Sequence, residues 1–146
     1  MAQTPDILLV EDDPDDVLLI QEALSDGGFA CRLAVAQDGV EAMAFLRRQP
    51  PYADAPRPDL VLLDLNMPRK DGREVLGEIR REEALRSIPV VVLTTSSAEM
   101  DILHCYRLGA NCFITKPVGL QPLQRVVRQI FDFWFSAVKL PPMDRD

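Results

Sequence analysis

Five short apolar runs, each followed by a segment with helical spacing, leave this chain few ways to fold. The runs are Ile7-Leu8-Leu9-Val10, Cys31–Val35, Leu60-Val61-Leu62-Leu63, Val90-Val91-Val92-Leu93 and Cys112–Thr115. They are too short for helices and lack the strict apolar–polar alternation of a strand with one wet face, so they read as strands buried on both sides. Between them lie amphipathic stretches. Val17, Ile20, Ala23 and Leu24 recur at helical spacing after Pro14, and Gly27-Gly28 ends that helix. A second helix holds Val40, Met43, Ala44 and Leu46. A third runs from Arg73 to about Glu83, and a fourth from Ala98 to Leu108. A fifth runs from about Leu120 past Trp134. The segment from Arg48 to Pro58 is rich in proline and polar residues and reads as a loop. Such alternation predicts an α/β fold with a parallel sheet covered on both faces. For five strands joined by right-handed crossovers, the flavodoxin-like (βα)5 order 2-1-3-4-5 is expected.

The strand ends carry the chemistry. The first stops at Glu11-Asp12, the third at Asp64, the fourth at Thr94 and the fifth at Lys116. In open parallel sheets ligands bind at the carboxyl edge near the switch in strand order, here between the first and third strands. Three carboxylates should therefore converge. Crowded carboxylates resist joint ionisation, so either one keeps its proton or a divalent cation sits among them. All-oxygen donors favour a hard ion such as Mg²⁺, with Mn²⁺ also suitable. Such ions are commonly shared with phosphate. Lys116 and the Thr94 hydroxyl suit phosphate oxygens, and a carboxylate facing a phosphoryl group can attack it.

The motifs resemble the receiver domain of two-component response regulators over roughly residues 6–134. They are Leu9-Val10-Glu11-Asp12-Asp13, Asp59 through Pro68 with Gly72, Thr94-Thr95-Ser96, and Lys116-Pro117. The resemblance implies that Asp64 accepts a phosphoryl group from a sensor histidine kinase. It also implies that Glu11, Asp12, Asp64 and the main-chain carbonyl of Asn66 hold Mg²⁺, and that Thr94 and Lys116 sense the phosphate. Phe113 stands at the switch aromatic, often Tyr, and lacks the hydroxyl, so it would switch by packing alone. Asn66 and Ser96 lie where relatives tune dephosphorylation. The Lys116-Pro117 bond is cis in many relatives. Within the family, Glu11, Asp12, Pro14 and Asp16 and the tail Phe133-Trp134-Phe135 to Leu140-Pro141 resemble small single-domain regulators paired with bacterial phytochrome kinases. Those often carry Asn where this chain has Asp13. Asp13, Asp15 and Asp16 read as charges complementing a helix N-terminus.

The implied molecule is a phosphorylated signalling module rather than a turnover enzyme, with autodephosphorylation open to it. Its output would be phosphorylation-dependent contact with a downstream protein, or service as a phosphorelay intermediate. Two other readings remain. A metal-dependent phosphatase with an aspartyl-phosphate intermediate usually needs an acid two residues after the nucleophile, where this chain has Asn66. A pseudo-receiver used only for docking would not need Asp64, Thr94 and Lys116 together.

The last helix carries one apolar stripe for the core, Leu123, Val126, Val127, Ile130 and Trp134. A second, Phe131, Phe135 and Val138, follows at i, i+4, i+7. One surface helix rarely needs two apolar faces. Either the tail folds back over its own domain or this surface pairs with another molecule; a homodimer through Phe131, Phe135 and Val138 is expected. Residues 1–134 are read as the receiver and 135–146 as a tail for dimerisation or docking. A net charge of -7 with no basic cluster argues against nucleic acid. No apolar run approaches a membrane span, and no secretory signal is visible. The odd set Cys31, Cys105 and Cys112, with only His104 nearby, suits reduced thiols in the cytoplasm. His104 reads as a surface residue of the fourth helix.

Overall fold

A computed structural model describes residues 4–142. Strands β1 (Asp6–Val10), β2 (Arg32–Ala36), β3 (Leu60–Leu63), β4 (Val90–Thr94) and β5 (Cys112–Thr115) form one sheet in the order β2-β1-β3-β4-β5. All four pairings are parallel. Helices α1 (Pro14–Asp26), α2 (Gly39–Leu46), α3 (Gly72–Arg81), α4 (Glu99–Leu108) and α5 (Leu120–Asp132) alternate with the strands. This is the expected flavodoxin-like architecture. None of the described helices is long and apolar enough to cross a membrane.

The sheet divides the core by the two-residue period of its strands. Leu8, Val10, Val61, Leu63, Val90 and Val92 face one side, where they pack with Met43 and Leu46 of α2, Val75, Leu76 and Ile79 of α3, and Cys105 of α4. Ile7, Leu9, Leu60, Leu62, Val91 and Leu93 face the other, against Ile20, Ala23 and Leu24 of α1 and Leu123, Val127 and Ile130 of α5. Helix starts are capped where the sequence offers short polar side chains. Asp13, Asp38 and Asp71 accept backbone N–H groups from the first turns of α1, α2 and α3.

Register positions the site. Val10 lies level with Ala36 on one side and Leu63 on the other, and Leu63 is level with Val92. Glu11 and Asp64, each one residue further on, therefore emerge at the same height. Their N–H groups continue the ladder, Glu11 to the Ala36 carbonyl at 2.9 Å and Asp64 to the Val10 carbonyl at 3.0 Å. Among the described residues the cis bond is Pro50–Pro51, so Lys116-Pro117 is trans, not cis as the resemblance suggested.

The C-terminus corrects one expectation. α5 passes into a π-helical turn, Phe133–Ala137, in which each residue is rotated less about the axis than in an α-helix. Phe131, expected on an outward stripe, is 1% exposed. Its ring lies 5.5 Å from Phe29 and 5.5 Å from Phe135, stacked on the latter. Phe135, Val138 and Leu140 pack against the same core cluster. The tail thus folds over its own domain, and Phe131 is enclosed by the chain's own residues. Phe133 is the aromatic left outside, 56% exposed. Phe131→Ala should cost about 3–5 kcal/mol in urea unfolding, as for a buried aromatic. Phe133→Ala should stay within about 0.5 kcal/mol of the parent.

Candidate functional site

The strand ends deliver three carboxylates and one ammonium to a single crevice, and the first turn of α1 adds a fourth carboxylate, Asp16. Glu11 follows β1 and is 2% exposed; Asp64 follows β3 and is 8% exposed. Asp12 stands at the rim, exposed. One carboxylate oxygen from each of the three lies within 4.8 Å of the others. Lys116, after β5, is buried and reaches across the mouth. Its Nζ donates to Glu11 and, at 2.8 Å, to Asp16, and it stands 3.5 Å from Asp64 Oδ2. Asp64 Oδ1 also accepts the Leu65 N–H at 2.8 Å, which fixes the carboxylate's rotation.

The electrostatics follow from burial. Desolvation pushes the Glu11 carboxyl up to about 7, with the Asp64 charge adding to the rise and Lys116 opposing it. Burial alone would lower the Lys116 ammonium, but its hydrogen bonds to Asp16 and Glu11 and the Asp64 charge hold it above its ordinary value. One ammonium against four carboxylates leaves the crevice short of positive charge. Clustered hard oxygen donors with one open, exposed side fit a divalent cation that keeps some of its water. Glu11, Asp12 and Asp64 are the residues able to hold it.

The other expected residues divide into those the fold brings to the crevice edge and those it turns aside. Thr94 ends β4 with its hydroxyl buried and without a hydrogen-bond partner among the described residues. A buried polar atom of this kind is costly unless something supplies an acceptor. Asn66 is exposed two residues beyond Asp64. Ser96 is turned away: its hydroxyl donates to Asp101 Oδ2 at 2.6 Å, and its carbonyl accepts the Thr115 hydroxyl at 3.0 Å. Phe113 is half-buried against the α2–α4 side of the core. Its N–H donates to the Tyr106 hydroxyl at 3.2 Å, so a phenol from α4 reaches the Phe113 backbone.

Asp16 is the site residue that pattern reading missed. Its place in the first turn of α1 suggested a dipole partner, and the resemblance used it as a subgroup marker without a role at the site. The available sign was Lys116 itself, since a lysine buried beside several acids needs more than one of them close by.

Residues 7–128 match the family model of the response regulator receiver domain. The chain is 50% identical over 135 residues to response regulator Rcp1 of Synechocystis sp., covering 92% of each protein. The crystal structure of the phosphorylated cyanobacterial phytochrome response regulator RcpA superposes with a TM-score of 0.92 at 51% identity, covering 96% of this chain and 100% of that one. The Mn²⁺-bound form of Rcp1 gives 0.90 at 48% identity, covering 94% and 99%.

The orphaned hydroxyl generates a prediction. Thr94→Val keeps the shape and removes the unpaired oxygen, so it should raise stability toward urea by about 1–2 kcal/mol in protein without a phosphate donor. A fall in the urea midpoint would show that the hydroxyl is satisfied after all.

Proposed function

The chain belongs to the response regulator receiver domain family, and on that premise we propose that it is a signalling module switched by phosphorylation of Asp64. The observation that carries the reading is the convergence of Glu11, Asp12 and Asp64 under the buried ammonium of Lys116.

An Asp64 carboxylate oxygen attacks the phosphorus of a phosphohistidine on a sensor kinase. A P–O bond forms as the P–N bond breaks, and its electron pair stays on the imidazole nitrogen, which takes a proton. The Leu65 N–H holds the attacking carboxylate in place. Lys116 offers positive charge to the phosphoryl oxygens at the cost of part of its present pairing. Thr94 has a free hydroxyl to donate. Glu11, Asp12 and Asp64, with the carbonyl of Asn66, would hold a Mg²⁺ or Mn²⁺ ion. Such an ion, when bound, would neutralise charge on the phosphoryl oxygens. The Mn²⁺-bound Rcp1 and the phosphorylated RcpA support both parts of the reading. They also favour a phytochrome-type kinase as the donor. Phe113 changes its packing as Thr94 engages the phosphate; Asn66 tunes how fast water removes it, and Ser96 does so only through the loop it ties to Asp101. Output is contact with a downstream protein or onward transfer of the phosphate, in the cytoplasm.

Residues 1–134 act as the receiver and 135–146 as a tail for dimerisation or docking; residues 1–3 and 143–146 lie outside the described ones. A homodimer forms through Phe135 and Val138, both half-buried, with exposed Phe133 adjoining. Phe131 supports that surface from within.

Incubation with acetyl phosphate and Mg²⁺ should label the protein, and Asp64→Asn or excess EDTA should abolish the label. Unchanged labelling of Asp64→Asn overturns the assignment. Light scattering should give a dimer mass at micromolar concentration, reduced to a monomer in Phe135→Glu. A monomeric parent protein rules out the pairing.

A further inference from the structure

The loop from β3 to α3, residues 65–71, carries Asn66; Leu65 and Met67 anchor it to the core, Lys70 pairs with Glu78, and its backbone is tied at three places. At its base the Gly72 N–H donates to the Leu65 carbonyl at 2.8 Å. Near its apex the Lys70 N–H donates to the Pro68 carbonyl at 2.8 Å, closing a three-residue turn. Arg69 sits at the centre of that turn with φ 66°, a backbone conformation few L-residues adopt. At its outer edge the Lys70 carbonyl accepts the Gly39 N–H at 3.0 Å. A Cβ on Gly39 would lie 2.1 Å from that carbonyl oxygen, so glycine is what lets the β2–α2 corner approach.

Arg69 then reaches over the same corner. Its Nε and Nη2 both donate to Asp38 Oδ2, at 2.9 and 2.7 Å. Asp38 Oδ1 accepts the Glu41 N–H at 2.8 Å and so caps α2. The acid is anchored on both oxygens and its side chain is 11% exposed, against 59% for the arginine. A pair between two loose surface chains contributes little to stability. This acid is rigid, and it draws a strained backbone into line, which is a device for orientation. Strained positions of this kind persist where surroundings over-determine them, typically beside functional groups.

The geometry points to Arg69 and Asp38 as positioning residues of the phosphorylation site: their ion pair holds the β3–α3 loop in the left-handed turn that sets the path of the chain from Asp64 through Asn66. The inference rests on the reading of Asn66 as a main-chain donor to the cation. Neither side chain reaches the cation donors themselves; both act through the loop.

Two substitutions isolate the pair. Arg69→Gly removes the guanidinium but suits φ 66° without strain. Asp38→Ser removes the carboxylate but keeps a capping oxygen for α2. Mn²⁺ alone is the probe, titrated into the unphosphorylated full chain and read by the EPR signal of the free ion. Each variant should bind Mn²⁺ about ten-fold more weakly, at the low end for loss of an outer support. The double variant should lose no more than either single one, because the two act as a unit. With acetyl phosphate, the Mg²⁺ concentration for half-maximal labelling should rise while the rate at saturating Mg²⁺ is retained. Lower melting temperatures with unchanged Mn²⁺ affinity would make the pair merely structural and overturn the proposal, as would additive losses in the double variant. Failure of the parent protein to label would sink the phosphoacceptor reading alone, since the Mn²⁺ titration does not depend on it. A parent that binds no Mn²⁺ would overturn both.

Discussion

Parallel pairing of β1 with β3 places Glu11 and Asp64 at one height, and everything at the carboxyl edge is an answer to that crowding. Two nearly buried carboxylates side by side repel each other, and neither can be solvated away. Lys116 crosses from β5 to lie among Glu11, Asp16 and Asp64. The ammonium relieves the repulsion only in part, because Asp12 adds another carboxylate at the rim. The carboxylates at this edge therefore outnumber the ammonium, at a point where Asp12 is open to water. That imbalance is the physical basis for a site that takes up a cation and a phosphoryl group.

The rest of the molecule stabilises this edge from below and from the sides. Alternate residues of three central strands feed two separate cores, so the sheet is clamped between helices and its register cannot slip without turning apolar side chains into the wrong layer. Arg80 of α3 adds a polar tie on the far side. It donates to the carbonyls of Arg86, Ile88 and Gly109 and to the Asn111 side chain, joining the α3–β4 and α4–β5 connections. Around the site itself, pairs of charged and backbone groups hold the loops in addition to apolar contacts such as those of Leu65 and Met67. Ser96 with Asp101 and Arg73, and Asp38 with Arg69, are two such ties.

Much of the fold could be read from the chain. Runs such as Val90–Leu93 are legible because continuous β-branched and aliphatic residues suit a strand buried on both faces. Glu11, Asp12, Asp64, Thr94 and Lys116 were legible because each interrupts an apolar run at its end. Asp16 was not, since an acid in the first turn of a helix has an ordinary local reason to be there. Phe131 was misread for a related reason. Helical spacing gives the direction of a side chain about its own axis, but not which neighbours close over that direction. Phe29 of the α1–β2 loop and the returning tail do so, and no local pattern announces either.

The amino-acid sequence by itself determined the order of elements, the two-sided sheet and the identity of the acids, hydroxyl and lysine at the strand ends. These depend on local period and composition, which are carried along the chain. Only the tertiary structure decided the partners. Lys116 meets Asp16 across a separation of 100 residues, Arg69 meets Asp38 across 31, and the Ser96 hydroxyl turns to Asp101 rather than to the crevice. Such choices depend on distances set by the closed fold, where burial, charge and backbone strain are settled together.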